Sequence, residues 1–115
     1  MSTRLKLRES VRRFAEQMEL KLRANEHKGG WQSDLPEDLI DRIEEEIAEL
    51  RASVNDEFFT AALGPSEERR IARRRIAREA ADVGAFAMMV ADVCDGLTED
   101  TFEADESDHH MKGAL

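Results

Sequence analysis

The sequence has no tyrosine, one cysteine, one tryptophan, two prolines and no excess of positive charge. Each scarcity excludes something. A lone cysteine, Cys94, cannot close a disulfide within the chain and fits a reducing compartment. Beside Val90, Ala91 and Val93 it reads as a small buried apolar filler. No apolar run approaches the ~20 residues that cross a bilayer. The early bases Arg4, Lys6 and Arg8 lead into no apolar stretch. Neither a membrane span nor a secretory leader is expected, and the location is read as cytoplasmic. Charge sets a further limit: 17 Lys and Arg against 26 Asp and Glu give −9. A chain this acidic is a poor partner for nucleic acid or an anionic membrane surface. The bases that exist are clustered in residues 1–30 and 66–79, and the acids in 37–57 and 98–115.

With prolines only at positions 36 and 65, long stretches are free to be helical, and the fold class is read as all-α. The 115 residues suit one domain. Residues 1–97 are taken as the folded unit and 98–115, acidic and nearly devoid of apolar residues, as a mobile tail. Within the tail, His109 and His110 have no partners at metal-binding spacing and read as a solvated pair.

Three helical segments are expected. In the first, from about Leu5 to Asn25, Leu7, Val11, Phe14, Ala15, Met18 and Leu22 recur at helical spacing, and Gly29-Gly30 stop the helix. The second runs from Pro36 to about Val54, with Ser33 or Asp34 as its cap and Pro36 in its first turn. Its apolar residues Ile40, Ile43, Ile47, Leu50 and Val54 form a narrow stripe suited to bundle packing. Residues 55–65 read as a connection in which Phe58, Phe59 and Leu63 make a short turn of helix, ended by Gly64-Pro65. The third segment starts at Ser66 as N-cap and runs to about Asp95, with Gly96 as stop. Ile76, Ala80, Val83, Ala87, Val90 and Cys94 form its stripe, and a break is allowed near Ala81–Gly84 because glycine costs ~1 kcal/mol relative to alanine in a helix. The narrow stripes and short chain make full apolar burial in a monomer hard, so a homo-oligomer is expected.

Two pieces of sequence share one pattern. Residues 43–50 read Ile-Glu-Glu-Glu-Ile-Ala-Glu-Leu and residues 76–83 read Ile-Ala-Arg-Glu-Ala-Ala-Asp-Val. In each, an apolar residue is followed at three and six positions by acids: Ile43, Glu46, Glu49 and Ile76, Glu79, Asp82. At about 100° per residue, the two acids of each set fall about 60° and 120° to the same side of their stripe. When the stripes pack together, four carboxylates converge at the core's edge. Such a group repels itself unless protonated or neutralised by a cation. An all-oxygen donor set selects Mg²⁺, with Mn²⁺ as the alternative, over zinc or copper. The absence of Glu-x-x-His argues against an oxygen-activating di-iron site. Acids spaced in this way also occur on solvated helix faces, so a plain acidic surface stays open beside the metal site. Arg74, Arg75 and Arg78 lie just before Asp82, with Arg75 one turn before Glu79. They suit either ligand phosphates or ion pairs with Glu79 and the acids of the second segment.

At these residues the chain resembles the MazG-like, all-α nucleoside triphosphate pyrophosphohydrolases. Their paired acidic signature stands here as Glu45-Glu46-Ile47-Ala48-Glu49 and Glu79-Ala80-Ala81-Asp82. Phe14 through Glu19, Asn25 through Trp31, and Glu79 through Asp92 are similar to small phage-type members. The resemblance covers about residues 10–95. It implies a helical bundle assembled as a dimer or tetramer that cleaves (d)NTP to the monophosphate and pyrophosphate, cytoplasmically, in nucleotide-pool control. Purine deoxynucleotides (dGTP, dATP) are the expected preference. It implies Mg²⁺ held by Glu46, Glu49, Glu79 and Asp82, with Glu45 as a further ligand, a water-orienting base or a solvated acid. Glu46 or Glu49 would take the proton of the attacking water. Arg75 stands where the family has a basic residue that meets phosphate, joined here by Arg78. Many members carry Asn seven residues after the Asp, where this chain has Met89, which leaves phosphate contacts from that turn unsupported.

The loop from Asn25 to Trp31 is the expected base pocket: Gly29 and Gly30 let backbone approach a ligand, Trp31 can stack on the base and Lys28 can meet a phosphate. The competing reading makes Trp31 a cap on the bundle end. A reading of a different class takes the whole chain as a non-catalytic helical oligomerisation module with a solvated acidic face.

Overall fold

A computed structural model describes residues 5–62 and 64–99. These form three α-helices and one 3₁₀ turn, with no strand among the described residues. The all-α expectation holds. The expected tail, His109-His110 and Leu63 lie outside the described residues, apart from Thr98 and Glu99.

Helix α1 spans Glu9–Ala24 and begins four residues later than its apolar spacing suggests, with Arg8 extended. Leu5 and Leu7 are exposed, so no packing draws the first residues into the helix. Its solvent face is laced by ion pairs at helical spacing: Glu9 with Arg12 and Arg13, Arg12 with Glu16 at 2.7 Å, and Arg23 with Glu19 at 2.9 Å. Each supports the helix by only about 0.2–0.5 kcal/mol. Beyond Ala24, the Asn25 side-chain amide donates to the Lys21 carbonyl at 2.9 Å. Glu26–Lys28 then make the 3₁₀ turn, and Gly29 reverses the chain at φ 91°, where a side chain would be strained.

Helix α2 spans Pro36–Ala61. Leu35 stands at its N-cap with no side-chain cap, so Ser33 and Asp34 do not play the expected part. Proline at the first turn, which needs no N–H partner, and the acids Glu37 and Asp38 start the helix instead. The expected connection at 55–65 is mostly helix: α2 continues unbroken through Phe58 and Phe59. Nothing from 55 to 61 breaks a helix, and ion pairs to the next helix hold the added turns. Asp56 pairs with Arg75 at 3.1 Å and Glu57 with Arg69 at 3.4 Å. Gly64, at φ 78°, makes the turn.

Helix α3 spans Glu67–Val93 without a break at Gly84. Ser66 caps it as expected, its hydroxyl accepting from the Arg69 N–H at 3.2 Å. At the far end Cys94 is the C-cap and Asp95, at φ 58°, takes the left-handed position in place of Gly96, whose N–H reaches the Ala91 carbonyl at 2.7 Å. Cys94 is exposed, which corrects its reading as a buried filler. The helix ends before it can turn that face inward.

The central helix is α3. Both α2 and α1 pack on it, and they make no comparable contact with each other. Buried positions are small or few: Leu39, Ser53, Ala72, Ala81 and Ala85. The expected α2 stripe is split. Ile43 and Leu50 turn toward the packed side, whereas Ile40, Ile47 and Val54 are 45%, 41% and 47% exposed. The inward line of α2 is Leu39, Ile43, Glu46, Leu50 and Ser53. The seam therefore runs through Glu46 rather than beside it. Gly84 explains the approach of α1, since a Cβ there would stand 2.8 Å from Phe14 Cε2 and 2.9 Å from Met18 Sδ.

Candidate metal centre

Packing α2 on α3 brings Glu46 from one helix against Glu79 and Asp82 from the other. Carboxylate oxygens of the three lie within 4.8 Å of one another, all on half-buried side chains. Glu49, one turn after Glu46 and exposed, lies near enough for its carboxylate to raise the pKa of both Glu46 and Glu79. Of the four acids singled out by their register, three meet here and Glu49 stands beside them. Glu45 does not join them. Its carboxylate points away to Arg42, 3.3 Å off at the surface.

Crowding shows in the protonation of the cluster. Glu46 is pushed up to about 7, first by burial, then by hydrogen bonding and charge from Glu49, then by the charges of Asp82 and Glu79. Glu79 is raised by burial and by Glu49 and Asp82, with Lys21 opposing. Glu46 Oε2 is buried and has no hydrogen-bond partner. A buried carboxylate oxygen without a donor costs folding free energy, and a hard cation would satisfy it. Three converging carboxylates with only oxygen donors fit a Mg²⁺-type ion. The donor set therefore suits such an ion by its own chemistry.

The cluster opens into a cavity of about 490 Å³, in the range of small-molecule sites. It lies where α1 and α2 diverge across α3. Lys21 comes from α1 and Asn25 from its C-cap, Arg42 and Glu46 from α2, and Asp82, Phe86 and Met89 from α3. The loop supplies Lys28, Gly29, Gly30, Trp31 and Asp34.

No family model, curated protein or solved structure matches this chain.

Of the residues expected to meet a substrate, Asn25, Lys28 and Trp31 line the cavity. The Trp31 indole N–H donates to Asp92 Oδ2 at 2.9 Å, pinning the loop to the end of α3, and the residue also lines the cavity. Arg75 and Arg78 are not among the lining residues. Arg75 instead pairs with Asp56 of α2, which is the ion-pair alternative, and Arg78 is exposed. Two turns of α3 separate Arg75 from Asp82, which carries it along the bundle away from the opening.

Sequence reasoning missed Lys21, Arg42 and Phe86. Lys21 bonds Asp82 at 3.1 Å, and the Arg42 guanidinium lies 5.0 Å from the Phe86 ring centroid. A signal for Lys21 was present. Phe14, Met18, Lys21 and Asn25 step by 4, 3 and 4 along one face, so a base interrupts an otherwise inward line.

Proposed function

We propose that the chain is a MazG-like nucleoside triphosphate pyrophosphohydrolase, hydrolysing (d)NTP to (d)NMP and pyrophosphate with Mg²⁺ and so controlling a nucleotide pool. The observation that carries the reading is the meeting of Glu46, Glu79 and Asp82 within 4.8 Å at the wall of a cavity also lined by Lys21, Lys28 and Trp31. Carboxylates suit a divalent cation, bases suit phosphate, and an aromatic side chain suits a nucleobase. A non-catalytic module with a solvated acidic face gives no reason for Glu46 to sit on the packed side of α2 with a buried, unpartnered oxygen.

Glu46, Glu49, Glu79 and Asp82 would hold the ion. When bound, the ion would offset charge on the triphosphate and the leaving pyrophosphate and would acidify a water. Water adds across one phosphoanhydride bond, and Glu46 or Glu49 accepts its proton. Lys28 contacts phosphate, and Trp31, held by Asp92, stacks on the base. Purine deoxynucleotides remain the proposed preference.

The test is pyrophosphate release across the eight (d)NTPs with Mg²⁺, read as phosphate after adding an inorganic pyrophosphatase. Turnover of at least one substrate, lost in Glu49→Gln and Asp82→Asn with helicity unchanged, is the expected result. No turnover of any substrate, or variants as active as the parent, refutes the assignment.

Self-association is proposed with it. Ile40, Ile47, Val54 and Phe58 make one exposed line along α2, and Val11 and Ile71 are about half exposed elsewhere. Apolar surface aligned in this way is characteristic of an interface, and a second copy of the chain is the proposed occupant.

A further inference from the structure

Resting on the metal-dependent reading above, we propose that Lys21 is the resident counter-cation of the carboxylate cluster, displaced from Asp82 when a divalent cation enters and passed to a phosphate of the triphosphate in the same cavity. The Lys21 ammonium lies 3.1 Å from Asp82 Oδ1, and the two side chains are 34% and 23% exposed. Among the described residues it makes the only ion pair to any of the four clustered acids. Its backbone is fixed by the seating of Phe14 and Met18 on Gly84, two residues beyond Asp82. Lys21, Lys28 and Asp82 line one cavity.

A divalent ion on Asp82 weakens that carboxylate's hold on Lys21. A Mg²⁺ ligand oxygen sits at ~2.0–2.1 Å from the ion, so an ammonium on the same carboxylate would meet a divalent charge at short range in partly dehydrated surroundings. Lysine suits the transfer. Its charge is a point on a four-carbon stem with rotatable donors, able to leave one oxygen for another without moving α1. Entry of the ion frees Lys21, and a phosphate that takes Lys21 removes the competitor for Asp82. Metal and triphosphate then bind with positive coupling, and by linkage each strengthens the other to the same degree.

The experiment is calorimetric titration of Mn²⁺ into the full-length protein, alone and with an α,β-methylene deoxynucleoside triphosphate. It compares the parent with Lys21→Met, Lys21→Gln and Lys21→Arg, each checked by circular dichroism. Without nucleotide, Lys21→Met and Lys21→Gln bind Mn²⁺ about two- to five-fold tighter, the scale of a partly exposed ion pair. Lys21→Arg stays within about two-fold of the parent. With the analogue, both neutral variants bind it more weakly and show less of the metal–nucleotide coupling. Folded neutral variants that bind Mn²⁺ no tighter than the parent overturn the counter-cation role. Tighter Mn²⁺ with unchanged analogue affinity overturns the transfer to phosphate. If no protein binds Mn²⁺ at millimolar concentration, the metal reading itself falls and the role of Lys21 falls with it.

Discussion

Glu46, a proposed proton acceptor, carries a cost to the fold. In the unfolded chain its carboxyl titrates near 4.5, and in the folded chain near 7. Between those values the folded state holds a proton that the unfolded state has released. Stability from this group is therefore complete below about 4.5 and is lost as pH rises through 7. Thermal unfolding of metal-free protein in chelator should show a midpoint that falls across that window. Glu46→Gln should flatten the slope and raise the midpoint at pH 8, while removing hydrolysis. A midpoint that rises between pH 5 and 7 in the parent, or a Gln variant with the parent's slope, contradicts the assignment. The identity of the clustered acids was readable from spacing alone, because Glu46, Glu49, Glu79 and Asp82 share a register relative to Ile43 and Ile76. The exclusion of Glu45 was not readable. Three consecutive glutamates all lie within reach of a local motif, and only the packed helix decides which one turns outward to Arg42.

At the scale of elements, Gly84 joins α1 to the site. The sequence marks it as a weak point in a helix, yet α3 runs straight through it and α1 uses the missing side chain as its seat. Gly84→Ala should gain up to ~1 kcal/mol of helix propensity and lose about 1–3 kcal/mol from forcing Phe14 and Met18 aside. The expected outcome is a lower thermal midpoint and weaker nucleotide binding as Lys21 and Asn25 shift. A higher midpoint would show that α1 does not bear on that position. Ser66→Ala, with loss of the hydroxyl that caps α3, should cost about 1 kcal/mol in denaturant unfolding, and no loss would mean that water replaces the cap. Helix count, order and the Ser66 start were legible because caps and periodicity are local. The extension of α2 to Ala61 was not, since it depends on Asp56 and Glu57 meeting Arg75 and Arg69 from a distant segment. Nor was the inward face of α2, because its line includes Glu46 and Ser53 and a search for apolar spacing favours Ile40, Ile47 and Val54.

The whole molecule is a central helix flanked by two others that do not meet, and it fully buries no large side chain among the described residues. No helix among them is long and apolar enough to cross a membrane. That open arrangement creates the cavity between α1 and α2, and it leaves the outer line of α2 exposed, where a second copy is proposed to pack. Light scattering behind size exclusion should give a mass above that of one chain, and Ile47→Glu with Val54→Glu should reduce it to one chain. A monomeric parent at micromolar concentration would contradict self-association without touching the metal site. The central claim, that α2 and α3 fold together to build a seat for a divalent cation, is tested most directly by anomalous diffraction from crystals grown with Mn²⁺. The account predicts a peak bounded by carboxylates of Glu46, Glu79 and Asp82, with the Lys21 ammonium withdrawn from Asp82. Crystals showing these side chains together but no anomalous peak at saturating Mn²⁺ would contradict it.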